Sequence, residues 1–244
     1  MSHYPAIGWY GKLPSAGDFL QRRFPEVLKN QWGHWFQVGL LNWQNATERQ
    51  EVSRPFGHAP VWNFVVPPML GSQLVQMGCL MPGRDSVGRH YPICAQRFFS
   101  PQHWSDKILA SSGEWYRQLG ATLHHAVRNG YSAEQLDSVL LAQPPLAEPV
   151  AENTSDILDI IGGEEQPSTL SWQQVSDCFS PQHYTSFWWT NQSDGYPLYT
   201  HVHSGNFTGQ LFSLLFDPAG GRGPAVMAST RQCLTKLSDT QVIR

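Results

Sequence analysis

The run GKLPSAGDF, residues 11–19, sets Lys12 behind a glycine close to the start of the chain. A Walker-type phosphate loop needs G-x-x-x-x-G-K followed by Ser or Thr, because backbone amides wrap the phosphates and the hydroxyl meets magnesium. Leu13 follows the lysine here, and only one glycine is in register. The stretch therefore reads as a turn that presents Lys12 and Asp18, with Pro14 and Gly17 as its punctuation. Asp18 lies where a carboxylate caps helix amides or pairs with a cation brought from another loop.

A second polar turn, MPGRDSVGRHYP, places Arg84, Asp85, Gly88, Arg89 and His90 between two apolar runs, so hydrogen-bonding groups cluster at one end of an expected hairpin. Opposite charges make Asp18 with Arg89, or Lys12 with Asp85, reasonable pairs, and either pair would bring the two loops together. Such a pair serves a partner surface, or it fixes loop geometry without touching a partner. The third pattern is THVH, whose His201 and His203 share a face if the segment is a strand, as in some metal sites. Completed by Asp194, that pair would make a metal-dependent hydrolase, the alternative reading. Neither H-E-x-x-H nor G-x-S-x-G occurs, and no cysteine stands beside an evident His and Asn or Asp set. The expectation is a chain with no catalytic residues, no metal and no cofactor.

These residues need elements to position them. AIGWY reads as a short strand running into the first turn. From Phe24 to Asn45, Leu28, Trp32, Trp35, Phe36, Leu40 and Trp43 recur every three or four residues, which predicts a long helix with one aromatic stripe. VWNFVV, QLVQMGCLM and YPICAQRFF read as strands, the last two as a hairpin. Residues 104–129 read as one helix, and Ser132 with Gln135 is a capping box for another through Leu141. SDILDIIGG and LSWQQVSDCF suggest short helices, YTSFWWTN and YPLYTHVHSG suggest strands, and FTGQLFSLLF fits either type. Residues 142–155, AQPPLAEPVAENTS, read as a linker or long surface loop, and 217–244 as a mobile tail.

The chain has 244 residues, of which 41% are hydrophobic, 12% aromatic and only 14% charged, enough apolar material for a large core with aromatic surface to spare. A formal charge of −3 gives no general attraction for nucleic acid or an anionic membrane. Prolines at 55, 60, 67, 68 and 82 break the uncharged stretch 55–83, so membrane insertion is not expected. The start lacks the cationic and apolar regions of a secretory signal, which suggests a cytoplasmic protein. The alternation of strands and helices supports an α/β or α+β layered domain without choosing between them.

Taken in order, GWYGKLPSAGDFLQRRFP, APVWNFVV, CLMPGRDSVGRHYP and SFWWT resemble the landmarks of the TagF family of type VI secretion-associated proteins, over about residues 8–216. Two positions depart from the family pattern: Gly33 in WGHW, where an aspartate often follows the first tryptophan, and Gly83, where a serine is common. The resemblance implies an α/β/α three-layer sandwich around a mixed sheet, in a single domain of residues 1–216. It also implies a cytoplasmic, non-enzymatic, post-translational repressor that binds the forkhead-associated-domain scaffold protein Fha and restrains assembly of the secretion apparatus. Some members are fused to a PppA-type phosphatase domain. The residues carried over as partner-binding or loop-structuring are Lys12, Pro14, Gly17, Asp18, Asp85, Gly88 and Arg89.

Overall fold

Long apolar runs in the middle of the chain build the sheet. The structure, a computed structural model, describes residues 6–48, 55–69, 71–146 and 172–218. Strands β3 (Trp62–Val66), β4 (Val75–Arg84) and β5 (His90–Phe99) lie side by side, and β4 pairs with β5 from Val75 opposite Phe99 to Arg84 opposite His90. On the far edge of β5 runs β1 (Gly8–Gly11), followed by β2 (Leu20–Arg22). Beyond β3 come β6 (Thr185–Thr190) and β7 (Thr200–Ser204), giving the order β2-β1-β5-β4-β3-β6-β7.

Every pair is antiparallel, which corrects the expected mixed sheet. The connections explain it: four of the six pairings join strands consecutive in sequence, and neighbours linked by short loops run antiparallel, whereas parallel neighbours need a crossover. Alternation along β3 sends Trp62, Phe64 and Val66 into one core and Val61 and Val65 into a second. The first core is completed by Trp32, Trp35 and Phe36 of α1 (Glu26–Glu48) and Phe212 and Phe216 of α6 (Gly209–Phe216). The second takes Leu109 of α2 (Asp106–Ala110), Trp115, Leu119 and Leu123 of α3 (Gly113–Arg128), Leu136 of α4 (Ala133–Leu141) and Val175 of α5 (Trp172–Cys178). The described residues thus form a single α/β domain.

The predicted helix over 104–129 is two helices. Ser111 N–H still donates to the Lys107 carbonyl at 3.1 Å, but Ser112 N–H turns to the Leu109 carbonyl at 3.1 Å while its hydroxyl takes the Ile108 carbonyl, so the ladder of α2 stops there. The capping box is present: Ser132 Oγ accepts from Gln135 N at 3.2 Å, and Gln135 Oε1 accepts from Ser132 N at 2.8 Å. FTGQLFSLLF resolves to a helix capped by Thr208, whose hydroxyl accepts from Leu211 N. SDILDIIGG, most of the 142–155 loop and residues 219–244 of the tail lie outside the described residues.

Candidate functional site

The β4–β5 hairpin closes through residues 85–89, where Gly88 at φ +84° takes the left-handed conformation that lets the chain return. Gly88 N–H donates to the Asp85 carbonyl at 3.0 Å, and Asp85 N–H to the Arg89 carbonyl at 3.1 Å. The Asp85 side chain is turned inward and is wholly buried. Its Oδ1 accepts from Val87 N at 3.1 Å and Arg89 N at 2.8 Å, while Oδ2 accepts from Lys12 Nζ at 2.8 Å and Arg89 Nε at 2.6 Å. A carboxylate has about four acceptor sites, and here all are used.

Burial alone would push the Asp85 carboxyl up. The Lys12 ammonium, the Arg89 amide and guanidinium and the Val87 amide together outweigh it and hold the group well below the ordinary carboxylate range. Asp85 is therefore ionised and fully engaged, in the position of a lock. Lys12, just past β1, is buried with it, whereas the Arg89 side chain is 65% exposed.

The first loop docks on the second. Ser86 N–H donates to the Ala16 carbonyl at 2.9 Å, and Arg89 Nη2 to the Gly17 carbonyl at 3.1 Å. Pro14 is half-buried inside this loop, and Ser15 Oγ ties it to the Tyr131 carbonyl at 2.7 Å. Of the two charge pairs considered, Lys12 with Asp85 forms; Asp18 with Arg89 does not. Arg89 spends its donors on Asp85 and Gly17, and Asp18 stands exposed with no ion pair among the described residues.

Two apolar residues that the sequence did not single out flank this lock. Phe19 is 51% exposed, with Lys12 Nζ 4.8 Å from its ring centroid and Tyr91 edge-on at 4.7 Å. Val87, at the hairpin tip, is 72% exposed. The available signal was an apolar residue inside a polar turn, Phe19 directly after Gly17-Asp18 and Val87 between Ser86 and Gly88.

The two departures from the family pattern sit close by. A Cβ at Gly83 would fall 2.7 Å from the Tyr91 carbonyl oxygen and 2.8 Å from that of Lys12, so a serine there requires the backbone to move. A Cβ at Gly33 would lie 3.1 Å from the Tyr10 hydroxyl, which hydrogen-bonds the Tyr91 hydroxyl at 2.8 Å.

The histidine pair is not gathered into a metal site. His201 and His203 have ring centroids 6.3 Å apart; His203 Nε2 donates to the Asn206 carbonyl at 2.8 Å. Asp194 uses its two oxygens on Val61 N at 2.8 Å and Tyr196 N at 3.1 Å. Among the described residues no group of three or more His, Cys, Asp or Glu is placed to hold a metal ion. No helix among them is long and apolar enough to cross a membrane.

A family model described as "TagF N-terminal domain, Type VI secretion system-associated" matches residues 8–142, which contain both loops. The crystal structure of PA0076 from Pseudomonas aeruginosa PAO1 superposes with a TM-score of 0.65 at 21% sequence identity, covering 90% of this chain and 97% of that one. At that identity the likeness is one of fold. No curated protein matches the sequence.

Proposed function

The chain belongs to the TagF family of type VI secretion-associated proteins, and on that footing we propose that it is a cytoplasmic, non-enzymatic repressor that binds the forkhead-associated scaffold protein Fha and restrains assembly of the secretion apparatus. The observation that carries the site is the buried Asp85, which binds the Lys12 loop to the 85–89 hairpin, with Phe19, Val87 and the Arg89 guanidinium exposed on the two loops it joins. Exposed apolar anchors beside a charged, hydrogen-bonding rim are the makings of a protein-docking surface. We read the fold as the family's three-layer α/β/α sandwich, in which helices cover both faces of the sheet and leave the loops at its ends for partners. Pro14, Gly17 and Gly88 shape the backbone of that surface, and Asp18 borders it with a free carboxylate.

Repression is tested by overproducing the chain in a bacterium with an active type VI system and measuring effector released to the medium. Wild type lowers release. A Phe19→Ala/Val87→Ser variant at equal abundance leaves release unchanged. Equal repression by both proteins contradicts the assigned surface, and no repression by wild type contradicts the function.

A further inference from the structure

Beside the lock, on the other flank of the hairpin base, lies a cavity of about 550 Å³. Arg84 and His90, partners across the β4–β5 register, enter it from the sheet, His124 and Arg128 from one face of α3, and His58 from the short 3-10 turn at Phe56–His58. Asp194 is the one acidic residue in its lining, and both of its oxygens already accept backbone N–H groups. Val61, Met81, Val127 and Tyr196 add apolar and aromatic surface to its lining.

None of the five basic residues has an ion pair or side-chain hydrogen bond among the described residues. In a chain of net charge −3, two arginines and three histidines around one cavity with a single acidic residue are a local departure from the rest. Arg128 in the last turn of α3 complements the helix dipole, but that does not account for Arg84, His90 and His58, which come from other elements. We infer that this cavity binds a small phosphate-bearing anion of two or more negative charges, held by Arg84 and Arg128 with the imidazoles of His58, His90 and His124 as further donors. Guanidinium forks match phosphate oxygens in geometry as well as charge, and the volume lies in the range of small-ligand sites.

The cavity's own groups disfavour further positive charge on its imidazoles. Burial, then Arg84, pulls the His90 pKa down; burial pulls His124 down too, with Arg128 and His125 lowering it and Asp194 opposing them. An anion reverses that balance, so its binding draws protons onto His90 and His124 and tightens as pH falls. The groups facing them are Arg84, Arg128, His125, Asp194 and Tyr196. This inference does not depend on partner binding.

The test is isothermal titration calorimetry of the full chain with inorganic pyrophosphate, ATP and O-phosphoserine, at fixed ionic strength, at pH 6 and pH 8. Saturable one-site binding is expected for at least one probe, tighter at pH 6, and weakened about tenfold or more by Arg84→Gln/Arg128→Gln with an unchanged unfolding midpoint. Pyrophosphate and ATP binding without phosphoserine identifies a polyphosphate ligand; phosphoserine binding identifies a single phosphoryl group. Absence of saturable binding by every probe overturns the inference, as does equal affinity in the double variant.

Discussion

Asp85 accepts four hydrogen bonds, two from cationic side chains, at a position closed to water. Removing one member of a buried charged pair leaves the others desolvated without compensation. Asp85→Asn should therefore lower the thermal midpoint at pH 7 by roughly 5 °C or more. The folded carboxyl titrates below its unfolded value of about 3.9, so the unfolded chain takes up the proton first. The lock's contribution is thus complete above about pH 4 and disappears as pH falls through the lower folded value. Thermal melts from pH 7 to pH 2 should show the gap between wild type and Asp85→Asn closing below about pH 4; a gap of constant size contradicts the lock. Residue types alone made the meeting of the two charged loops legible, but not the pairing of Arg89 with Asp85. They did not decide between pairings, because that choice depends on which side chain turns inward, and the hairpin turns Asp85 in while Asp18 remains outside.

β7 carries a second proton-linked position. His201 lies opposite Trp188 on β6 and is buried, and burial, reinforced by neighbouring His203, brings its pKa down to about 4. The native state holds the imidazole neutral while the unfolded chain protonates it near pH 6.5, so stability falls as pH drops from about 6.5 to 4, by roughly 3 kcal/mol across that window. Urea unfolding of His201→Phe should be flatter over the same range than wild type; parallel profiles would show that His201 is not the responsible group. Legibility at this scale followed periodicity. The aromatic stripe of α1 and the hairpin of β4 and β5 are visible in the sequence because each repeats over many residues. β2 was not foreseen: three residues are too few to show alternation, and its place is set by pairing with β1. The break between α2 and α3 was hidden because apolar spacing resumes across Ser111 and Ser112, where the Ser112 hydroxyl takes the Ile108 carbonyl and the first helix stops.

For the molecule as a whole, apolar strands and helix stripes indicated layers but left their order open. Apolar side chains from both faces of the antiparallel sheet are buried, so its central strands lack the apolar-polar alternation that usually marks antiparallel pairing; the pattern therefore offered nothing against the mixed sheet that the family resemblance implied. The proposed docking face was the least legible feature, since Phe19 and Val87, both exposed, belong to loops whose meeting joins positions 72 residues apart, Arg89 on Gly17. That face is the centre of the account, and the direct measurement is the dissociation constant of purified Fha for wild type and for Phe19→Ala/Val87→Ser, by calorimetry. The account predicts saturable binding to wild type and a weakening of about tenfold or more in a variant whose unfolding midpoint is unchanged. Equal affinity for the two proteins, or no binding to either, would contradict it.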